Sequence, residues 1–202
     1  MVALTTRSRT ISHDILLADT LAVSYASVLK PHLFAGQPVV VPGGGSGIWR
    51  CTAHELAALG AHVVVTGRTQ SKLDTVVGEI IDDGGAASAQ AFDIRDDDAV
   101  KAAIQAIVTA RGAIHGLVNN AGGQFPSPAM MISKNGFDAV VRNNLTGGFL
   151  VAREVLLQSM RNGGGAIVNI VADMWGGMPG MAHSGAARAG MVNLTETLAV
   201  EW

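Results

Sequence analysis

One stretch constrains this chain more than any other: Pro38-Val39-Val40-Val41-Pro42-Gly43-Gly44-Gly45-Ser46-Gly47-Ile48-Trp49-Arg50. A β-branched apolar run breaks into a glycine-dense turn, and an Ala/Leu-rich segment with helical spacing, Cys51 to Leu59, follows. The order is strand, turn, helix. Glycine suits such a turn because it takes positive φ without steric cost and lets backbone approach a ligand. The helix N-terminus adds unpaired N–H groups and the positive end of its dipole, which together favour an anion. The stretch reads as the first βα unit of a dinucleotide-binding sheet, with Gly43, Gly45, Ser46, Gly47 and Ile48 against a pyrophosphate.

The spacing does not complete either common form of the loop. G-x-G-x-x-G would run Gly43, Gly45, Ile48, and G-x-x-x-G-x-G would run Gly43, Gly47, Trp49; both fail at the third position. A glycine turn without a ligand stays open beside the phosphate loop.

Composition removes several other classes. With 202 residues, 49% of them hydrophobic and 15% charged, the chain suits one well-buried globular domain. A net charge of −2 supplies no basic field for nucleic acid. The single Cys51 excludes an internal disulfide and reads as a helix-packing residue, and no Cys/His cluster has metal-ligand spacing. No apolar run approaches the roughly 20 residues of a membrane span, and no signal-peptide core opens the chain. The expectation is a soluble cytoplasmic protein without metal, membrane or nucleic-acid partners.

Residues 1–33 are weakly periodic and read as a loosely held extension, with the domain proper at 34–202. Beyond the first helix, Ala61–Thr66 is a second buried strand. Helical spacing from Ser71 to Asp82 places Leu73, Val76, Val77, Ile80 and Ile81 on an inner stripe. An acid at the end of the second strand would suit a ribose hydroxyl; this chain has Thr66-Gly67-Arg68 there, and arginine suits the 2′-phosphate of NADP(H). Further strands are expected at Ala87–Phe92, Ile114–Val118 and Ala166–Val171, and helices at Asp96–Ala110, Gly136–Met160 and Ser184–Trp202. Strands alternating with helices at this rhythm predict an α/β fold, a Rossmann-type doubly wound parallel sheet in order 3-2-1-4-5.

These residues resemble the short-chain dehydrogenase/reductase family from about Gly36 to Trp202. The glycine loop is similar to its T-G-x-x-x-G-x-G. Asp93-Ile94 resembles the acidic pair that borders adenine. Asn119-Asn120-Ala121-Gly122 matches N-N-A-G, and Asn144-Leu145-x-Gly147 matches N-x-x-G. More narrowly, Asn120-Ala121-Gly122-Gly123-Gln124-Phe125 and His183-Ser184-Gly185-Ala186-Ala187-Arg188 are similar to peroxisomal-type trans-2-enoyl-CoA reductases and their bacterial relatives. Some of those relatives are labelled citronellol or citronellal dehydrogenases. The resemblance implies NADP(H) held by the loop, Arg68, Asp93, Ile94, Asn120, Ala121, Gly122 and Arg188, an acyl-CoA or an apolar aldehyde or alcohol as substrate, and a homo-oligomer formed through the long helices.

The departures are specific. The loop threonine is Pro42 and the third glycine is Trp49, which is expected to be the main obstacle to cofactor binding. The family's Y-x-x-x-K aligns on Ser184-x-x-x-Arg188; the chain's single tyrosine, Tyr25, lies in the extension. The dienoyl-CoA reductase branch has its tyrosine fifteen positions before the lysine, where this chain has Asp173. The catalytic candidates are Asn144, Asp173, Ser184 and Arg188. Asp173 is expected to protonate an enolate or hold a thioester oxygen from beside an apolar wall of Met174 and Trp175, and Ser184 to hydrogen-bond the substrate carbonyl. As ordinary structure, Asp173 is a turn residue, Ser184 a helix N-cap and His183 a loop residue.

Family members continue past this last helix into further strands, so the fifth strand is expected at a sheet edge and the last helix with one face uncovered. The motifs support NADP(H)-dependent reduction of an enoyl-CoA or dienoyl-CoA in fatty-acid metabolism, or dehydrogenation of a terpenoid alcohol or aldehyde. Pro42, Trp49 and the missing tyrosine support a non-catalytic remnant or fragment of such an enzyme.

Overall fold

The computed structural model describes Tyr25 and residues 27–202; the expectation for the rest of the extension lies outside the described residues. Five parallel strands form one sheet in the order β3-β2-β1-β4-β5: β1 Pro38–Pro42, β2 His62–Gly67, β3 Ala86–Ala91, β4 Gly116–Asn119 and β5 Ala166–Asn169. The central strand is buried along its whole length, and the prolines that would weaken a ladder stand at its two ends.

Alternation along β1 and β2 divides the core. Val39, Val41, Val63 and Val65 face helices α1 (Gly47–Ala58) and α2 (Gln70–Asp82), where Leu73, Val76 and Ile80 are buried. Val40 and Val64 face the opposite layer, with Val100, Ile104 and Ile107 of α3 (Asp97–Arg111) and Val151 and Val155 further along the chain. Covering both faces removes water from every central strand position, which is the main favourable term in such a fold. Helix α3 is well terminated: Asp96 accepts from the Ala99 N–H at 3.0 Å, Asp97 and Asp98 occupy its first turn, Arg111 its last, and Gly112 follows at φ 80°.

The long helical stretch expected from Gly136 to Met160 starts at Lys134 and is interrupted twice. It runs as α4 (Lys134–Val141), a π-helical turn (Arg142–Thr146), α5 (Gly147–Val155), a second π-helical turn (Leu156–Met160) and the short α6 (Arg161–Gly163). Gly147 is needed at the first interruption because a Cβ there would stand 2.7 Å from Ile94. The last helix, α7 (Ala182–Glu201), packs on α4.

Several expectations change. Helix α1 starts at Gly47 rather than Cys51, and Cys51 is exposed, so it is no packing residue. Ile81 is 55% exposed because α2 turns its inner stripe onto Leu73, Val76 and Ile80, with Val77 partly buried beside them. His183 belongs to the first turn of α7 and is fully buried, not a loop residue. Strand β5 is at the sheet edge, with Val168 51% exposed. Among the described residues no helix is long and apolar enough to cross a membrane, and no three His, Cys, Asp or Glu side chains group to hold a metal ion.

Candidate functional site

A crevice of about 570 Å³ opens at the C-terminal ends of β1, β2 and β4, within the ~300–1,000 Å³ range of small-molecule and cofactor sites. It lies where the chain order reverses across the sheet, between β1 and β4, where open α/β sheets bind ligands.

One wall is the glycine turn. Gly43 has φ 81°, and a Cβ there would stand 3.4 Å from Ala121 Cα; its N–H donates to the Thr66 carbonyl at 2.7 Å. Gly47 has φ 60° with open space on its Cβ side. No side chain caps the start of α1, so its first N–H groups face the loop unpaired by a cap. Gly43, Gly45, Ser46 and Gly47 line the crevice, whereas Ile48 is 71% exposed outside the lining. Trp49 lines the wall and is partly buried against the valine layer of β1 and β2. It borders the crevice and leaves its volume standing.

Arg68, in the turn after β2, and Lys72, in the first turn of α2, both enter the lining. Phe92 and Ile94 form an apolar patch. Asp93 does not join them. Its carboxylate accepts from Arg95 at 2.6 Å and lines a neighbouring cleft; the Arg95 hydrogen bonds, with the more distant Arg68, bring its pKa down to about 2.

The opposite wall is built from Asn120, Ala121, Gly122, Gly123, Gln124, Asn143 and Arg188. Asn144, buried in the first π-helical turn, donates to the carbonyls of Gly123 at 2.6 Å and Val140 at 2.8 Å and accepts from the Gly123 N–H at 3.3 Å. Such interruptions recur at functional sites. Arg188 donates to the Ile170 carbonyl at 2.8 Å and its buried Nε has no partner; burial pushes its pKa down. Gly122 separates the two: a Cβ there would stand 2.6 Å from Asn144 Oδ1 and 2.7 Å from Arg188 Nη2.

The two remaining candidates sit elsewhere. Ser184 is fully buried and gives its hydroxyl proton to Gln124 Oε1, so it does not face the crevice. Asp173 is exposed, one residue beyond the lining Ala172. Trp175 beside it is 76% exposed, so the apolar wall expected around that carboxyl is not formed. Tyr25 binds Glu55 on α1 and lines a different cavity, which takes the only tyrosine away from this site. The sequence assigns no role to Lys72, Asn143 or Gln124; the usable signal was for Gln124 alone, which stands in the matched Asn120–Phe125 run.

The short chain dehydrogenase family model matches residues 37–202. The chain belongs to this family. A Bacillus subtilis (strain 168) protein named "Probable 2,4-dienoyl-CoA reductase" is 39% identical over 169 residues, covering 81% of this chain and 65% of its own length. The structure of a citronellol catabolism dehydrogenase from Pseudomonas aeruginosa PAO1 is 62% identical, with a TM-score of 0.85 over 88% of this short-chain dehydrogenase and 73% of that chain. A metagenomic short-chain oxidoreductase in complex with NADP is 33% identical, with a TM-score of 0.79 over 83% of this chain and 77% of its own. This family member thus spans about 65% of the Bacillus relative it matches.

Proposed function

We propose that this short-chain dehydrogenase is an NADP(H)-dependent reductase of conjugated acyl thioesters, enoyl-CoA or dienoyl-CoA, in fatty-acid metabolism. The residues present fit the cofactor: Gly43 and Gly47 would make room for a pyrophosphate, Arg68 and Lys72 suit a 2′-phosphate, and Arg188, which lines the crevice with its Nε unpartnered, would hold the ribose. When bound, the nicotinamide supplies the hydride.

The observation that carries the substrate class is the Gln124–Ser184 hydrogen bond. Because Ser184 donates to Oε1, the Gln124 amide N–H groups remain as donors on the crevice wall. A simple ketone needs a proton on its oxygen as hydride arrives, and no tyrosine is within reach. A conjugated thioester instead moves the developing charge to its carbonyl oxygen, where a fixed N–H donor stabilises it. The proton on carbon then enters from solvent past the exposed Asp173. The 39% identity to a protein named as a dienoyl-CoA reductase supports the same reading.

The 62% identity to a citronellol catabolism dehydrogenase favours a second reading, oxidation of a terpenoid alcohol. Following NADPH absorbance separates them. The proposal expects oxidation of NADPH with a trans-2-enoyl- or 2,4-dienoyl-CoA and none with a simple ketone. Reduction of NADP⁺ by citronellol alone would establish the second reading, and silence with every substrate would leave the non-catalytic remnant as the better account.

A further inference from the structure

Two consecutive residues of α7 grip two consecutive residues of the loop after β4. Ser184 gives its hydroxyl proton to Gln124 Oε1. His183 meets the Phe125 ring edge-on, with centroids 4.6 Å apart and planes at 81°. Both α7 residues are 0% exposed. The His183 ring also acts on its own helix, because its Nδ1 accepts the Ser184 backbone N–H at 2.8 Å. That bond fixes the tautomer: Nδ1 as acceptor puts the proton of the neutral ring on Nε2. Nε2 is buried and has no hydrogen-bond partner.

A group with only a packing duty would not carry that orphan. Leucine would fill the same interior without a buried N–H, and buried polar groups in folded proteins are nearly always paired. What leucine lacks is an acceptor for the Ser184 N–H and a flat ring for Phe125. No side chain caps the N-terminus of α7, so His183 provides the one side-chain acceptor in its first turn among the described residues.

We infer that His183 is a positioning residue: it fixes the first turn of α7 and the Phe125 ring together, and so holds the Gln124 carboxamide, through Ser184, with its N–H groups toward the substrate oxygen. The inference rests on the proposed reduction of a conjugated thioester for its kinetic consequence, though not for its structural one. Displacing a reacting contact by ~1 Å costs on the order of 10²-fold in rate. His183→Leu keeps the bulk and removes the acceptor and the ring; it lowers kcat by about that factor while KM for NADPH stays put. His183→Asn, whose Oδ1 can accept the Ser184 N–H, recovers part of the loss.

The test is a double-mutant cycle with a second readout. In a Gln124→Ala background His183→Leu should change kcat little further, because the group it positions is gone. An undiminished second loss would overturn the inference. Hydrogen–deuterium exchange of residues 120–128 should rise in His183→Leu, with other core amides unchanged; unaltered exchange there would also overturn it. If the parent protein reduces no conjugated thioester, the proposed function fails on that result, and the exchange experiment still decides whether His183 holds the loop. Should His183→Leu not fold, His183→Phe, which keeps a ring against Phe125, carries the same comparison.

Discussion

Asn144 and Gly123 are joined by reciprocal hydrogen bonds, the side-chain amide donating to the Gly123 carbonyl at 2.6 Å and accepting its N–H at 3.3 Å. Through this pair a helix interior fixes a crevice loop. Asn144→Ala removes both bonds, and because Gly123 is exposed and water can take the place of the amide, each costs about 0.5–1.5 kcal/mol. With about 2–4 °C per kcal/mol for a domain of this size, Tm should fall by roughly 2–12 °C. NADPH affinity should fall as well. Calorimetry and a cofactor titration check both; loss of stability without loss of affinity would confine Asn144 to the fold.

Gly122→Ala should act on the site more than on the fold. The added methyl would press on Asn144 Oδ1 and Arg188 Nη2, and the arginine, held by one bond to the Ile170 carbonyl, is the side that can move. Weakened NADPH binding of about tenfold or more, near 1.4 kcal/mol, with a small change in Tm is expected. Unchanged binding would show that Arg188 does not contact the cofactor.

Arg68 should choose between the two nicotinamide dinucleotides. It lines the crevice beside Lys72, and charge-assisted hydrogen bonds to a 2′-phosphate contribute about 1.5–3 kcal/mol. Arg68→Ala should erase a preference for NADPH and leave NADH binding nearly unchanged. Equal losses for both would remove Arg68 from 2′-phosphate recognition.

The Asp93–Arg95 pair gives stability a predictable pH dependence. The folded pKa of Asp93, about 2, lies below the ordinary value, near 3.9, so the pair contributes above about pH 5 and loses its effect as pH falls toward 2. The side chains are 32% and 39% exposed, so the contribution is small and salt-sensitive. Arg95→Ala should lower Tm slightly at neutral pH, and the melting curves of the two proteins should converge on acidification. Curves that stay apart at low pH would place the effect elsewhere.

Much of this arrangement was legible in the residues. The glycine turn, the Asn119–Gly122 run and the alternation of valine strands with amphipathic segments predicted the sheet order and set the Gly43 loop and the Asn119–Gly122 loop on one crevice. What escaped was whatever depends on which partner a side chain takes and on where a helix begins. Asp93 was read as facing adenine, but Arg95 two residues away takes its carboxylate. Ser184 was read as a substrate contact, but Gln124, sixty positions earlier, holds its hydroxyl. Ile48 was expected against the pyrophosphate yet is 71% exposed, because α1 begins at Gly47 and turns that position to solvent. The two π-helical turns left no mark in the periodicity, since each shifts the helical register by a single residue.

The central claim is that the crevice binds NADPH despite Pro42 and Trp49. Trp49 lines it directly, while Trp175 and Trp202 are absent from its lining, so one residue can report occupancy. NADPH titrated into the protein should quench tryptophan emission saturably, with calorimetry giving the same Kd. In Trp49→Phe the quench should largely vanish while the calorimetric Kd stays within a few-fold. No saturable heat and no quench would contradict the account, and the glycine turn would then be a turn without a ligand.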